Sequence, residues 1–290
     1  MAKIGEKYRV FLCSQISLIL ISLITLFRTS QCNASGEPFP IGARSWGMAN
    51  AVTAVADKQS VFNNPAGLAF LAHHFISTAY HSRYNMAGLQ TFALGGNFSA
   101  KWAKAGLDVE RFGDKLYNEQ KLGLSLAKST GRVALGLKVS YLQAAIENFA
   151  VKQTFLTQFG VMAKLSSTVN MGFHAYNLTG ARLFLSQRIP TVLRFGFSYQ
   201  PGKQLLLVSE AEKDIVLPLV YKAGLEYQLV KNFYIRSGIT SRINNVHFGF
   251  GFQSKQFIFD YAASNHSLLG FSHHLSLAYQ LKSIKQNLSE

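Results

Sequence analysis

Charge is scarce in this chain. Charged residues fill 15% of its 290 positions, against about 25% in soluble domains, so an ordinary water-exposed globule is a poor fit. Acids are scarcest: 14 Asp and Glu face 29 Lys and Arg, for a net charge of +15. Cysteine is nearly missing. The two present, Cys13 and Cys32, lie in the first 34 residues, so the remainder has no disulfide framework and no thiol chemistry. Long apolar runs are also lacking. After residue 30 none approaches the roughly 18 residues of a spanning helix, which excludes a helical membrane bundle. No glycine-rich phosphate loop precedes a helix, and no Cys/His/carboxylate spacing suits a metal. No cofactor is therefore expected. The cations Lys121, Lys138, Arg194, Lys222 and Arg236 are dispersed, with no basic helix or aromatic-basic stripe, so nucleic-acid binding has no support. Such cations at a barrel rim would meet lipid phosphates, and in a lumen would set up a positive field.

What the chain does have is alternation. Val133, Leu135, Leu137, Val139 and Tyr141 share one side of a strand, opposite Gly136, Lys138 and Ser140. Val246, Phe248, Phe250 and Phe252 do the same, opposite Gly249, Gly251 and Gln253. Leu275, Leu277, Tyr279 and Leu281 repeat it, opposite His274, Ser276, Ala278 and Gln280. Period two with one apolar face and one face rich in Gly, Ser, Lys and Gln is the pattern of a membrane β-barrel, in which every second residue meets lipid. A hydrophobic content of 48% without helical runs fits this, because only strands that close on themselves satisfy their backbone in a bilayer.

Fourteen candidate strands follow: 73–84, 86–99, 101–113, 117–129, 132–146, 153–166, 168–179, 189–200, 203–214, 220–230, 232–243, 245–255, 256–266 and 271–282. Gly131, Pro201-Gly202, Asn244-Asn245 and Asn265-His266 supply turn chemistry between them. The segment 203–214 is the weakest strand, because Glu210, Glu212, Lys213 and Asp214 look like a loop end. The expectation is an all-β, antiparallel transmembrane barrel over 72–282, with a polar tail at 283–290, in the outer membrane of a Gram-negative bacterium.

Two segments precede the barrel. Residues 1–34 read as a signal peptide: Lys3, Lys7 and Arg9, then an apolar stretch over 10–27, then small residues with cleavage after Ala34. An uncleaved anchor is the rival reading. Removal of this segment takes four basic residues and one acidic residue, which leaves +12. Residues 35–71 are rich in Gly, Ala and Asn and do not alternate. Met48, Val52 and Val55 sit at helical spacing, so a short helix is expected there, stopped by Asn63-Asn64-Pro65. The segment is too small to fold alone, so it must lie against or inside something else.

The stretch IGARSWGMANAVTAVADKQSVFNNPAGLAFL resembles the amino-terminal signature of the FadL/PorV superfamily of outer-membrane barrels. The likeness is carried by Gly42, Ala43, Arg44, Gly47, Met48, Ala51, Ala54, Ala56, Asp57, Asn64, Pro65, Ala66, Gly67 and Leu68, with Asn63 beside them. Later stretches resemble the PorV branch: IPTVLRFGFSYQPG (189–202), AGLEYQL (223–229), FDYAAS (259–264) and LGFSHHLSLAYQL (269–281). The resemblance implies a fourteen-strand barrel with residues 35–71 as a hatch in its lumen. The FadL branch implies a conduit for small hydrophobic, fatty-acid-like molecules that leave sideways through the wall. The PorV branch implies a component or scaffold linked to type IX secretion in Bacteroidetes-like bacteria, with secretion-system envelope proteins as partners. Outer-membrane lipid and lipopolysaccharide are expected around either.

Physically the hatch is coherent. A fourteen-strand lumen is too wide for wall side chains alone to fill. Arg44 and Asp57 would need partners there, and Lys138, Arg194, Glu226, Arg236 and Asp260 are the candidates. A conduit predicts an apolar pocket lined by lumen-facing Phe and Leu, and a break in the wall. A scaffold predicts a lumen without a pocket. A lipid-modifying enzyme is the remote third reading. Its Ser–His pairs would be His81-Ser82, His266-Ser267 or Ser272-His273, but neighbours on a strand point to opposite faces. His73-His74 and His273-His274 diverge likewise. The charged runs 110–114 and 210–214 read as solvated strand ends and loops. The chain is therefore expected to be no enzyme, with transport or secretion as its role.

Overall fold

The computed structural model describes residues 36, 38–100, 102–183, 188–241 and 245–281. The expected signal segment, the polar tail and Asn244 lie outside them. Fourteen strands run β1 (Phe75–Ser82), β2 (Gln90–Ser99), β3 (Lys104–Gly113), β4 (Tyr117–Thr130), β5 (Val133–Ile146), β6 (Ala150–Lys164) and β7 (Val169–Tyr176). They continue as β8 (Val192–Tyr199), β9 (Leu205–Asp214), β10 (Val220–Val230), β11 (Phe233–Thr240), β12 (Asn245–Gln253), β13 (Phe257–His266) and β14 (Gly270–Gln280). Each pairs antiparallel with its sequence neighbours, and β1 pairs with β14 to close the barrel. The fold is a closed antiparallel barrel of fourteen strands.

Alternation sets which face each residue takes. Leu135, Leu137 and Val139 of β5 are exposed on the outside, as are Phe248, Phe250 and Phe252 of β12. Their neighbours Gly136, Lys138 and Ser140 face the lumen. A one-residue slip in register would exchange the two sets, so the lipid face fixes the pairing. At one end the strands join through two to five residues; at the other the connections run from three to fifteen. In outer-membrane barrels short turns are periplasmic and longer loops extracellular.

Every expected strand is present, most with ends trimmed by one to four residues; β10 keeps its expected bounds, β4 and β14 each gain a residue at one end, and β6 begins three residues earlier, at Ala150. Residues 86–89 do not belong to β2; Ala87–Leu89 form a 3-10 turn. Residues 203–214 are not a loop end: Leu205–Asp214 is a full strand, because its acids point inward and are paired there. Asn265 and His266 are not a turn but the last residues of β13. The helix expected around Met48, Val52 and Val55 lies earlier. It is α1 (Ala43–Gly47), and Met48 already ends it. Beyond it Ala49 and Asn50 take φ of 53° and 61°, the left-handed region that no helix continues through.

Residues 38–72 occupy the lumen. The wall offers small side chains and the hatch brings large ones. Ile41, Val61, Phe62, Leu68 and Leu71 pack on Ala79, Ala93 and Ala127 of the wall. Met48, Val52 and Val55 pack on Val208. Ala66 meets Ala134 and Met162. At the long-loop end Leu183 and Ile189, from the connection between β7 and β8, fold onto Leu142, Leu156 and Tyr176.

Candidate functional site

The hatch is knitted together before it meets the wall. The Asn63 side chain accepts from Ile41 N at 2.8 Å and donates to Ile41 O at 3.0 Å, which ties the two ends of the segment. Asn64 donates to Thr53 O at 2.7 Å and accepts from Ala66 N at 3.1 Å, capping the 3-10 turn Pro65–Phe70. Pro65 begins that turn without needing an N–H. Asn63-Asn64-Pro65 is therefore the internal clasp of the hatch and the start of a 3-10 turn; it does not stop the helix, which has already ended at Met48. Gly67 sits against Ser60, where a Cβ would fall 2.5 Å from the hydroxyl.

Charge fixes the hatch to the wall. Arg44, at the start of α1, grips both carboxylate oxygens of Glu226 on β10, at 2.8 and 2.7 Å, and reaches Asp57 at 2.8 Å. Glu226 also receives Arg236 of β11 at 2.6 Å. Arg236 reaches Asp260 of β13 at 2.9 Å, and Asp260 takes Lys58 at 2.7 Å. The ring of alternating charge thus starts and finishes on the hatch neighbours Asp57 and Lys58. Burial disfavours the charge on Arg44, but Glu226 and Asp57 outweigh it and hold the guanidinium above its ordinary pKa.

Two further groups act alike. Arg194, Glu210, Glu212 and Lys222 form a neutral quartet across β8, β9 and β10. It touches the hatch where Glu210 accepts from Thr53 N and Arg194 donates to Pro38 O. Lys138 pairs with Asp108 at 2.8 Å and donates to Val61 O at 2.9 Å. Glu110 pairs with Lys121 at 2.6 Å. The runs 110–114 and 210–214 are thus not simply solvated: Glu110, Glu210 and Glu212 face inward because cations on neighbouring strands await them. Nor do these cations give a positive field, since carboxylates match them.

Glycine decides how near the hatch comes. A Cβ on Gly224 of β10 would fall 2.7 Å from Met48 O, and one on Gly238 of β11 would fall 2.5 Å from Ala49 N. Gly249 of β12 lies against Gly47, its would-be Cβ 3.2 Å from Gly47 Cα. Gly136 and Gly160 meet Pro65, Ala66 and Asn64 in the same way on β5 and β6. The wall therefore has a bare groove under each end of the hatch motif. Alternation placed these glycines on the polar face, but their pairing with the hatch is invisible in one sequence.

Trp46 is the aromatic centre of α1. It lies parallel to His274 at 3.9 Å, meets His81 edge-on at 5.8 Å and donates from Nε1 to Pro40 O. Gly42 N donates to His81 Nε2 at 3.1 Å. Ser264 and His274 make a cross-strand contact of 3.4 Å, but His274 is stacked under Trp46 and its Nδ1 has no partner, so no acid completes a triad. His273 points outward to Tyr261 while His274 points inward, as adjacent strand residues must.

Among the described residues, two recesses of several hundred Å³ border the lumen. One, of about 310 Å³, opens toward the long-loop end and is bounded by Phe39, Trp46, Val192, Asp214, Lys222 and His247. The other, of about 410 Å³, opens toward the short-turn end and is bounded by Arg44, Lys58, His73, Gln204, Glu226 and Tyr234. Both lie along β9 to β13, one above the other. Between them stand α1, Met48, Ala49 and the charge ring. The conduit expectation of a pocket lined by Phe and Leu is met in part: Phe70, Leu71, Phe75, Leu205, Leu206 and Phe252 border the recess at the short-turn end, but charged and amide side chains share its walls. The expected break in the wall is absent among the described residues, since every neighbouring pair of strands is hydrogen-bonded.

No protein-family model and no curated protein matches the sequence. Solved structures do. The CymD monoaromatic hydrocarbon channel superposes with a TM-score of 0.64 at 12% identity, over 84% of this chain and 98% of that one. The P. putida toluene transporter TodX superposes with a TM-score of 0.62 at 11% identity, over 83% and 99%. At such identity the likeness is one of fold. These two neighbours are a hydrocarbon channel and a toluene transporter.

Proposed function

We propose that this chain is an outer-membrane conduit for small, mainly hydrophobic molecules, closed in the present state by its amino-terminal hatch. The observation that carries this reading is the pair of recesses on opposite sides of α1, stacked along one side of the lumen. A platform for secreted cargo needs no such cavities. The shared fold with hydrocarbon channels adds support, and the secretion-scaffold reading keeps only its resemblance in the second half of the chain. The passage runs axially past β9 to β13, because the wall is continuous. Gating then means moving α1 off the glycine groove by a few ångströms, which requires Arg44 to exchange partners.

The test is uptake of labelled toluene by intact Gram-negative cells, whose lipopolysaccharide leaflet slows apolar solutes. Cells making the protein should accumulate label faster than cells without it. Equal rates, together with stoichiometric retention of a large envelope protein on gentle purification, would replace the conduit by the scaffold.

A further inference from the structure

The rim at the short-turn end carries charge of one sign. Lys128 and Arg132 flank the β4–β5 turn, Lys164 ends β6, and Lys203, Lys231 and Lys255 lie in the next three turns. Lys104 follows the β2–β3 turn, so every short turn holds or adjoins a cation. Neither these turns nor the two strand residues on each side of them include an Asp or a Glu. Two of the cations are engaged with neutral groups: Lys104 donates to Ser99 Oγ at 2.7 Å, and Lys164 lies over the Phe70 ring at 4.3 Å. Lys128, Arg132, Lys203, Lys231 and Lys255 are exposed. The acids nearest this end are committed elsewhere. Asp57, Glu226 and Asp260 hold Arg44, Arg236 and Lys58 inside the lumen. The long-loop end is mixed, with Asp114 beside Lys115 and Glu147 in the next loop.

We infer that this rim binds the headgroups of anionic phospholipids in the periplasmic leaflet, phosphatidylglycerol in the simplest case. Depth, direction and distribution support this. Exposed aromatic side chains mark where a barrel wall leaves the hydrocarbon, and Phe98, Trp102, Tyr199, Phe252 and Phe257 are exposed at this end. Lys255 sits between Phe252 and Phe257, and Lys104 follows Trp102 by two residues. At about 3.3 Å per residue, both cations lie within roughly one Debye length of that girdle, at the level of lipid phosphates. Lys128 shows the direction, because it continues the lipid-facing row of Leu122, Leu124 and Leu126 along β4. The cations are also spread over every short turn, as an annulus of lipid would meet them. An acidic protein would dock on one sector and leave the others unmatched. Lipopolysaccharide phosphates belong to the opposite leaflet, at the long-loop end.

In the experiment, the affinity-captured full chain is washed in neutral-detergent micelles that hold equal amounts of phosphatidylglycerol and phosphatidylethanolamine. The retained lipid is then extracted and quantified. Wild type should keep phosphatidylglycerol over phosphatidylethanolamine by at least about fivefold, and high salt should shrink the ratio. The triple variant Lys128→Gln, Lys231→Gln, Lys255→Gln should bring the ratio close to one. Lys115→Gln, Lys152→Gln, Lys213→Gln makes the same change of charge near the long-loop end and should leave the ratio as it was. Each variant must keep the compact, heat-modifiable gel mobility of a folded barrel. If a triple variant fails to fold, Lys255→Gln alone and the salt dependence decide. Equal retention of the two lipids by wild type overturns the inference. So does a preference that survives the short-turn triple, or one that both triples abolish alike. Displacement of the lipid by excess inorganic phosphate at matched ionic strength would mark a general anion site and overturns it too. Equal lipid retention with tight binding of poly-L-glutamate, lost in the short-turn triple, would give the rim to an acidic protein instead. None of these outcomes bears on the conduit, which rests on the lumen.

Discussion

Arg44 joins hatch to wall through a bidentate grip, so at the scale of the residue it matters most. In Arg44→Met, Asp57 loses its cation and Glu226 keeps Arg236 as its ion-pair partner among the described residues. Breaking a buried pair from one side costs about 3–5 kcal/mol. The cost should fall on hatch docking and not on the barrel. Planar-bilayer recordings should show larger and more frequent openings, while the gel-shift melting temperature of the barrel changes little. Gly238→Val makes the same point from the wall side. Its side chain would enter the space of Ala49, so conductance should rise. Gly202→Val, with open space around it, is the control that should leave conductance unchanged. Single residues were the least legible part of the sequence. Arg44, Asp57, Glu226, Arg236 and Asp260 could be named as charges in need of partners, because burial of charge demands pairing. Which pairs with which depends on strand register and on the path of the hatch, and neither is encoded in local spacing.

At the scale of the element, α1 is short and ends in tension. Ala49 and Asn50 are consecutive left-handed residues without the freedom of glycine. A left-handed alanine costs roughly 1–2 kcal/mol, stored where the hatch must yield. Ala49→Gly should relieve it and hold the closed state more firmly, read as slower amide exchange over residues 42–50 and fewer openings. Strand β9 is the other instructive element. Glu210, Glu212 and Asp214 made it resemble a loop end, since charge in a strand usually means solvent. The lumen reverses that inference, because it supplies Arg194 and Lys222 at matching depth. Lys222→Met would remove one of the two cations that face Glu210 and Glu212. The barrel should then unfold at a lower temperature in detergent, by an amount matching about 3–5 kcal/mol. Period-two alternation revealed the other strands plainly, because lipid on one side and a filled lumen on the other impose it at every step.

On the scale of the whole molecule, the core is inverted relative to a soluble protein. Large apolar side chains of the wall face lipid, and small or charged ones face a lumen that the hatch fills. Closure and strand number were legible from strand lengths and turn residues. The two recesses were not, because they are what remains after hatch and wall have packed. Their position makes α1 the barrier between two chambers, and immobilising α1 is the most direct test of the account. Ala43 N lies 3.2 Å from Ser276 Oγ on β14, and both residues are buried. Cysteines at these two positions, in a chain with Cys13 and Cys32 replaced, would staple α1 to the wall when oxidised. Toluene uptake by intact cells should stop on oxidation and return on reduction. Uptake that continues undiminished with the staple closed would contradict the hatch as the gate.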